Sequence, residues 1–285
     1  MEAAPALLAV LGYPVAHSLS PIMHQAALAA EGLEGRYIAC PVEPARLGAA
    51  LEGLGALGFL GCNVTVPHKE AACRHATQRS PAAAATGSAN TLRFLPDGRV
   101  QADSTDGPGL LEALRRELGW SPTGRRVLLL GAGGAARAIA FAMASQGAAR
   151  VGVHNRTTAR AQALADELGG GVRAVPAGEL DVHLADADIV VNCTTLGLGG
   201  QGQALTASQL EVLTPSALVC DIVYAPEDTP LLRAARRRGL TTVGGLGMLA
   251  CQAALAWECW FGRRGPIDVM LEAARRELAH RAARS

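Results

Sequence analysis

Several features that mark other protein classes are scarce or missing in this chain of 285 residues. Basic and acidic side chains nearly balance, with a formal net charge of +1, so charge gives no reason to expect nucleic acid or an anionic membrane as a partner. No apolar run is long enough to span a bilayer. The first residues, Met1 to Pro5, lack the basic start of a secretory signal. We therefore expect a cytoplasmic protein.

Cysteine and lysine usage narrows the class further. The seven cysteines include no C-x-x-C pair, and their odd number argues against a disulfide framework, so we expect reduced thiols and no metal site. Lysine occurs once, as Lys69, among many arginines. A lysine can release a proton where a guanidinium cannot, so a single retained lysine suggests a chemical role. Survival by chance is the alternative.

The strongest motif is Gly131-x-Gly133-x-x-Ala136, which follows the aliphatic run from Val127 to Leu130 and precedes an alanine-rich segment. A continuous apolar run predicts a strand that is buried on both faces. Between such a strand and a helix, the glycines allow a tight turn and bring a pyrophosphate close to the N–H groups of the helix N-terminus. We therefore predict a Rossmann-type dinucleotide domain, with a purely structural turn as the alternative.

The next strand distinguishes between the two nicotinamide dinucleotides. In NAD-binding domains an acidic residue usually ends this strand and binds the ribose hydroxyl. Here the strand predicted from Ala149 to Val153 leads into Asn155 and Arg156, and Arg160 follows one helical turn later. A guanidinium suits a 2′-phosphate, with which it can form paired hydrogen bonds. We therefore predict NADP; an exposed arginine that merely opens a helix is the alternative.

Polar residues also follow the strands of a separate α/β unit predicted between residues 6 and 94. Ser18 and Ser20 come after the first strand and Lys69 after the third, at the edge where open α/β sheets bind ligands. Ser20 is also a suitable N-cap for a helix beginning at Pro21, so capping alone would explain it. Ser18 has no such explanation.

Asp106 and Gln252 each allow two interpretations. Asp106 comes just before a helix predicted at about 108–119, so it is either a helix cap or a functional carboxylate. Gln252 lies on a mostly apolar stripe of a helix predicted from Met248 to Phe261. Because a buried polar group needs a partner, Gln252 either contacts a ligand or is accommodated in the packing.

Eight motifs together resemble those of the shikimate dehydrogenase family, in the family's order and over nearly the whole chain. They are Ser-Leu-Ser-Pro at 18–21, Asn-Val-Thr-Val-Pro-His-Lys at 63–69, Gly-Ser-Ala-Asn-Thr at 87–91, Ser-Thr-Asp-Gly at 104–107, Gly-Ala-Gly-Gly-Ala-Ala-Arg at 131–137, Asn-Arg-Thr at 155–157, Asp-Ile-Val-Tyr at 221–224 and Gly-Met-Leu-x-x-Gln at 247–252. We accordingly expect an α/β protein with an N-terminal α/β substrate domain (1–106 plus 245–285) and a doubly wound, Rossmann-type NADP domain (107–244). The C-terminal helices should pack back on the first domain.

The resemblance implies reversible, NADP-linked reduction of 3-dehydroshikimate to shikimate within aromatic amino-acid biosynthesis. Lys69 and Asp106 would flank the carbonyl being reduced, where a positioned lysine can supply the proton. The substrate's carboxylate and hydroxyls would be held by Ser18, Ser20, Asn63, Thr65, Asn90, Tyr224 and Gln252. Cofactor contacts are expected from Gly131, Ala132, Gly133, Gly134, Ala135, Asn155, Arg156, Thr157, Arg160, Thr194, Ile222 and Gly245.

Two residues depart from the family's usual pattern, namely Ala89 in place of valine and Ser104 in place of asparagine; both changes leave the reaction class intact. Three alternatives stay open. A broad-specificity quinate/shikimate or aminoshikimate dehydrogenase would share the fold and the Lys69–Asp106 pair. A catalytically silent NADP-sensing protein should have lost that pair, and a methylenetetrahydrofolate dehydrogenase would not explain the Ser-Leu-Ser-Pro motif. Either a monomer or a homodimer fits the sequence. The histidines near the motifs are expected to be orienting or structural rather than catalytic: His17, His24 and His68.

Overall fold

The computed structural model describes residues 5–284, so residues 1–4 and 285 of the predicted first domain lie outside the described part. The strands are β1 (Ala6–Gly12), β2 (Gly35–Pro41), β3 (Gly61–Val64), β4 (Gln78–Arg79), β5 (Thr91–Phe94), β6 (Val100–Asp103), β7 (Arg126–Leu130), β8 (Arg150–His154), β9 (Val172–Val175), β10 (Ile189–Asn192), β11 (Leu218–Asp221) and β12 (Thr241–Val243). The α-helices are α1 (Ser20–Ala30), α2 (Leu47–Ala56), α3 (Lys69–His75), α4 (Pro81–Thr86), α5 (Asp106–Leu118), α6 (Gly134–Ser145), α7 (Thr158–Leu168), α8 (Leu180–Ala185), α9 (Ala207–Glu211), α10 (Pro230–Arg237), α11 (Gly245–Phe261) and α12 (Ile267–Ala282). None of these helices is both long enough and apolar enough to cross a bilayer.

The chain divides into two compact units. The first unit contains the residues up to Gly109 and those from Ala250 onwards, and the second contains Leu110 to Leu249. The predicted domain boundaries lie after residues 106 and 244, a few positions before the boundaries of these units. Both unit boundaries fall inside helices, α5 and α11.

The sheet of the first unit is mixed and has the order β2-β1-β3-β5-β6-β4. Strands β2, β1 and β3 run parallel, whereas β5 pairs antiparallel with both β3 and β6. The turn between β5 and β6 contains Asp97 and Gly98, the predicted hairpin pair, and Gly98 has a φ of +82°. The predicted α/β character of this unit is confirmed. Strand β4 has only two residues and no counterpart among the predicted strands.

Side chains of β1 alternate between the two faces of this sheet and enter two apolar clusters. On one face Leu8 and Val10 pack with Tyr37 and with Ala256 and Trp260 of α11. On the other face the alternate residues of β1 join apolar side chains of α2 and α3. Helix α12 packs against α1. The C-terminal helices therefore pack on the N-terminal domain, as predicted.

The sheet of the second unit is entirely parallel and has the order β12-β11-β10-β7-β8-β9. The run from Val127 to Leu130 and all of β10 and β11 are buried, as expected of strands that helices cover on both faces. The strand order reverses between β7 and β10, which is where doubly wound sheets bind ligands. The predicted Rossmann-type fold is confirmed. The sequence did not indicate β9, α8 or α9.

Two predicted helix starts are wrong in detail. Ser20 is the first residue of α1, and Leu19 occupies the N-cap position without a capping side chain. Ser18 Oγ instead accepts a hydrogen bond from the N–H of Ser20 at 3.2 Å, so Ser18 satisfies a donor at the start of the helix. Helix α5 begins at Asp106, two residues before the predicted start at about residue 108.

Gly61 in β3 leaves no room for a side chain, and this generates a stability prediction. A Cβ atom there would overlap the carbonyl oxygen of Leu92 and the indole ring of Trp260. We expect Gly61→Ala to lower the free energy of unfolding by about 1–3 kcal/mol, the usual cost of overpacking. Gly53→Ala is the matched control, since a Cβ at Gly53 in α2 meets no atom within 4 Å.

Urea unfolding of both variants measures the difference. Gly53→Ala should be neutral or more stable by about 0.5–1 kcal/mol, because alanine is the better helix former. Equal stabilities for the two variants would contradict the packing around Gly61.

Candidate active site

Four of the predicted catalytic and substrate-binding residues form a hydrogen-bonded cluster in the first unit. Lys69 Nζ donates to Asp106 Oδ2. Asn90 Nδ2 donates to Asp106 Oδ1 at 3.0 Å and to Gln252 Oε1 at 3.2 Å. Asn90, Asp106 and Gln252 are buried, and the Lys69 side chain is 15% exposed. Gln252 therefore has a protein partner inside the predicted site.

The loops that follow the strands bring these side chains together. Lys69 is the first residue of α3, which begins shortly after β3 ends. Asp106 is the first residue of α5, where the positive end of the helix dipole stabilises a carboxylate. Asn90 immediately precedes β5. The N–H of Ala89 donates to the carbonyl oxygen of Lys69 at 3.0 Å and ties the loop before β5 to the start of α3.

The amide of Asn90 is held in one orientation by Thr105. The N–H of Thr105 donates to Asn90 Oδ1 at 2.7 Å, so the amide nitrogen must face the other way. Asn90 Nδ2 then has three acceptors within hydrogen-bond distance. They are Thr105 Oγ1 at 2.9 Å and the side-chain oxygens Asp106 Oδ1 and Gln252 Oε1. The two hydrogens of the amide are therefore fully used by the protein.

The remaining predicted substrate residues of this unit lie at the same strand ends. Asn63 in β3 donates to the carbonyl oxygen of Asn90 at 3.0 Å. The N–H of Thr65, just beyond β3, donates to the carbonyl oxygen of β1 residue Leu11 at 2.8 Å. Ser18 and Ser20 stand at the start of α1. Within residues 5–284, the side chains of Ser18, Ser20 and Thr65 form no hydrogen bond with the cluster around Asn90.

Sequence reasoning missed three polar residues that support this cluster. Thr91 Oγ1 accepts from Asn63 Nδ2 at 3.1 Å and lies 3.4 Å from Thr105 Oγ1. Tyr37 OH donates to Asn63 Oδ1 at 2.7 Å. Thr91 and Thr105 adjoin predicted residues in the motifs, which was a usable signal. Tyr37 gave none, because it lies 26 positions from its partner in an apolar strand.

Two of the histidines near the motifs, His24 and His68, are buried. A ring nitrogen of His68, Nε2, lies 2.7 Å from the carbonyl oxygen of Val42 in a buried setting. Burial lowers the pKa of His24 to about 3, so its ring is neutral, and the nearby Asn63 side chain only moderates this lowering. Neither ring nitrogen of His24 makes a hydrogen bond of ordinary geometry within the described part of the chain. Across that part, no group of three or more His, Cys, Asp or Glu side chains could hold a metal ion.

In the second unit the glycine-rich loop has the form that a dinucleotide needs. Gly131 has a φ of +111°, and a Cβ there would lie 3.1 Å from Thr194 Cγ2, so only glycine fits without strain. Gly133 is the N-cap of α6 and faces open space. Ala132, Gly134 and Ala135 line the same turn, and their neighbour Ala136 is fully buried against the sheet. The N–H groups at the start of α6 are thus available to an anion.

Two exposed arginines follow β8 at the start of α7. Arg156 and Arg160 form no ion pair among residues 5–284. Cations at a helix N-terminus are unfavourable for the helix itself, so helix stability does not explain them. Asn155 Nδ2 donates to the carbonyl oxygen of Thr157 at 3.0 Å and fixes the turn that carries them. The pair is suited to holding a phosphate group.

A buried carboxylate organises the loops that follow β10 and β11 in this unit. Asp221 at the end of β11 accepts from Asn192 Nδ2 at 2.9 Å, from Thr229 Oγ1 at 2.7 Å and from the N–H of Val223 at 3.1 Å. Asn192 Oδ1 in turn accepts from Thr194 Oγ1 at 2.7 Å. Burial raises the pKa of Asp221 above its ordinary value, and these donors oppose the shift.

Sequence reasoning gave no role to Asn192, Asp221 or Thr229. The available signal was a polar residue at the end of an otherwise apolar strand, as in β10 and β11. Of the other predicted residues, Gly245 begins α11, and a Cβ there would overlap the backbone of Ile222. Tyr224 belongs to the second unit, whereas the other predicted substrate residues belong to the first.

Comparisons with known proteins agree with the motifs. Family models match at residues 10–92 (shikimate dehydrogenase substrate binding domain), 113–224 (shikimate / quinate 5-dehydrogenase) and 245–275 (shikimate 5′-dehydrogenase C-terminal domain). The shikimate dehydrogenase (NADP(+)) of Symbiobacterium thermophilum is 45% identical over 275 residues, which cover 94% of this chain and 93% of that protein.

Solved structures give the same result. The shikimate 5-dehydrogenase of Thermus thermophilus, in complex with NADP(H) and shikimate, is 43% identical with a TM-score of 0.86, and the match covers 95% of this chain and 99% of that one. The quinate dehydrogenase of Corynebacterium glutamicum, in complex with NAD, is 31% identical with a TM-score of 0.86, covering 94% and 98%. This chain is thus similar to enzymes that differ in substrate and cofactor.

The network around Asp221 leads to a testable prediction. Asp221→Ala would leave three buried donors without an acceptor, and each unsatisfied group costs about 1–3 kcal/mol. We expect the free energy of unfolding to fall by at least ~2 kcal/mol. The affinity for NADP⁺ should fall as well, because the network holds two of the predicted cofactor contacts, Thr194 and Ile222.

Urea unfolding and calorimetric titration with NADP⁺ measure the two effects. Asp166→Ala is the control, since Asp166 is exposed on α7 of the same unit and a change there should stay within about 0.5 kcal/mol. Wild-type stability in Asp221→Ala would contradict a holding role for the carboxylate.

Proposed function

The chain belongs to the shikimate dehydrogenase family, and we propose that it catalyses the reversible, NADP-linked reduction of 3-dehydroshikimate to shikimate. It is an NADP-dependent oxidoreductase of aromatic amino-acid biosynthesis. The observation that carries the proposal is the Lys69–Asp106 pair, held by Asn90 beside Gln252. Lys69 is the only lysine of the chain, and we assign to it the proton donor that the family's chemistry needs.

Proton transfer is the chemical task of Lys69. When bound, NADPH supplies the hydride that reduces the substrate carbonyl. The carbonyl oxygen gains negative charge as it is reduced, and the ammonium group of Lys69 donates a proton to it. Asp106 holds Nζ in line with that oxygen, and in the reverse direction the amine of Lys69 takes the proton from the hydroxyl. Such acid–base help is worth about 10²–10⁴-fold in rate.

The substrate has one carboxylate and several hydroxyls, and the polar residues around Lys69 match these groups. The hydroxyls of Ser18 and Ser20 stand at the N-terminus of α1, where the positive end of the helix dipole favours a carboxylate. Amides and a further hydroxyl at the strand ends suit the ring hydroxyls, and we assign this role to Asn63, Thr65, Asn90 and Gln252. The same role for Tyr224 stays a prediction.

The cofactor assignment follows from the second unit. Gly131 to Ala135 would hold the pyrophosphate on the N-terminus of α6. Arg156 and Arg160 would hold the 2′-phosphate, with Asn155 and Thr157 shaping the turn. The loops after β10 and β11 and the start of α11 would complete the site through Thr194, Ile222 and Gly245.

Two alternative functions are not favoured. An NAD-linked quinate dehydrogenase should carry an acidic residue at the end of β8, where this chain has Asn155 and Arg156. A silent NADP sensor has no need of the Lys69–Asp106 pair, which is present and hydrogen-bonded.

Location and assembly are further proposals. We propose a cytoplasmic enzyme, which its seven free thiols support because the cytoplasm is reducing. We also propose a monomer or a homodimer, which sedimentation can distinguish.

Replacing Lys69 tests the reaction and the proton donor together. We expect wild type to reduce NADP⁺ with shikimate, and Lys69→Ala to be slower in kcat by roughly 10²-fold or more. Lys69→Arg should be slow as well, since a guanidinium keeps the positive charge but does not release its proton. Absorbance of NADPH follows the reaction.

Glu70→Gln is the control, because Glu70 is the exposed neighbour of Lys69 on α3 and should leave kcat unchanged. Full activity in Lys69→Ala would contradict the proposed donor. If quinate with NAD⁺ served wild type as well as shikimate with NADP⁺, the broad-specificity alternative would replace the proposal.

Replacing the two unpaired arginines tests the cofactor assignment. For Arg156→Gln or Arg160→Gln, we expect the preference for NADP⁺ over NAD⁺, taken as the ratio of kcat/KM values, to fall about 10- to 100-fold. The lost interaction is a charge-assisted hydrogen bond to the 2′-phosphate. Arg173→Gln is the control, since Arg173 is an exposed arginine of β9 in the same unit. An unchanged ratio in both variants would refute the assignment.

A further inference from the structure

The amide of Asn63 is fixed by three hydrogen bonds that all agree on its orientation. Its nitrogen donates to the carbonyl oxygen of Asn90 at 3.0 Å and to Thr91 Oγ1 at 3.1 Å. Its oxygen accepts from Tyr37 OH at 2.7 Å. Asn63 and these partners are buried. Turning the amide over would bring its oxygen against the carbonyl of Asn90, so the observed orientation is strongly preferred.

Counting donors and acceptors shows what Asn63 can still offer. A side-chain amide has two hydrogens on nitrogen and two lone pairs on oxygen. The protein uses both hydrogens and one lone pair of Asn63. Within residues 5–284 no further hydrogen bond of ordinary geometry uses the second lone pair on Oδ1, although the neutral His24 ring also interacts with the Asn63 side chain. Asn63 can therefore accept a hydrogen bond from a substrate but cannot donate one without losing a buried partner.

Tyr37 keeps this arrangement rigid. Its ring stacks on the His24 ring, with ring centroids 4.3 Å apart and planes 6° from parallel. Its centroid also lies 6.2 Å from that of the Trp260 ring. His24 in turn stacks on Trp257. Burial raises the pKa of Tyr37 well above its ordinary value, so the phenol keeps its hydrogen and always acts as a donor. Asn63 Oδ1 thus faces a fixed donor on one side.

We propose that Asn63, held by Tyr37 and Thr91, contacts the substrate only as a hydrogen-bond acceptor and thereby makes the site specific for a donor group at that position. The inference rests on the proposed function, which places Asn63 at a ring hydroxyl. A hydroxyl satisfies Oδ1 by donating, and so does an amine. A fluorine or an ether oxygen brings a second acceptor against Oδ1 and leaves it unpaired. A site that binds a polar group through a buried hydrogen bond rejects analogues that cannot form that hydrogen bond.

Two sets of shikimate analogues test this directly. In each, one of the ring hydroxyls that is not oxidised is replaced either by fluorine, which cannot donate, or by an amino group, which as an ammonium only donates. For wild type with NADP⁺ we expect kcat/KM for the amino analogue to exceed that for the fluoro analogue by about 10- to 100-fold at one ring position. In Asn63→Ala, the ratio at that same position should fall at least ~10-fold.

The ratio is taken within one variant, so loss of folded enzyme cancels out of it. Tyr37→Phe provides a second variant, in which we expect KM for shikimate to rise about 3- to 10-fold while kcat and KM for NADP⁺ stay within about twofold. Tyr13→Phe is its control, because Tyr13 is an exposed tyrosine of the same unit. A purely structural role for Tyr37 would not separate KM from kcat.

The outcomes distinguish this inference from the proposed function. Suppose that wild type oxidises shikimate but prefers the fluoro analogue at each ring position tested, or that Asn63→Ala keeps the wild-type ratio. The acceptor role is then wrong, and the proposed function stands. If wild type does not oxidise shikimate at all, the proposed function fails and this inference fails with it.

Discussion

The amide of Asn90 is the interaction on which the catalytic geometry depends. It joins segments that are far apart in the chain, because it contacts Thr105 and Asp106 at the start of α5 and Gln252 in α11. All of these groups are buried, so each must find a partner or lose the free energy of its hydration. One arrangement satisfies them together, and in that arrangement Asp106 presents Oδ2 to Lys69. The position of Lys69 therefore depends on the complete set of hydrogen bonds among the buried groups around Asp106.

The second unit uses the same principle with a different central group. Asp221 accepts hydrogen bonds from Asn192 at the end of β10 and from Val223 and Thr229 in the loop after β11, and Asn192 in turn holds Thr194. In both units a strongly polar residue sits next to one end of a strand, and hydrogen bonds tie it to a neighbouring loop. Low polarity around such groups makes each hydrogen bond stronger and each missing one more costly. Rigid loops at the carboxyl ends of the strands follow from that energetics.

How much the sequence could predict depends on how local the determining forces are. The strand before Gly131 and the turn after it are specified by neighbouring residues, and the fold of the second unit was predicted on that basis. The two-residue strand β4 forms only because β6 lies beside it, so no local pattern could reveal it. Tyr37 likewise looks like any aromatic residue of a strand until the sheet brings Asn63 beside it. Ser18, and not the predicted Ser20, accepts a backbone hydrogen bond at the start of α1, because the choice depends on the path of a loop.

Ion pairing separates the structural arginines of this arginine-rich chain from those that are available to a ligand. Arg126 and Arg150 both pair with Asp186, and Arg137 at the end of the glycine-rich motif pairs with Glu167. Their charges are thereby neutralised within the protein. Arg156 and Arg160 are exposed without such partners within residues 5–284. Arg160 lies in the first turn of α7, where the dipole opposes a cation, and Arg156 comes just before the N-cap residue Thr157. An unneutralised pair of guanidinium groups in an unfavourable place is stable only at some cost, and a bound phosphate dianion removes that cost. The physical argument for NADP is therefore that Arg156 and Arg160 have no ion-pair partner within residues 5–284, more than that arginine is present there.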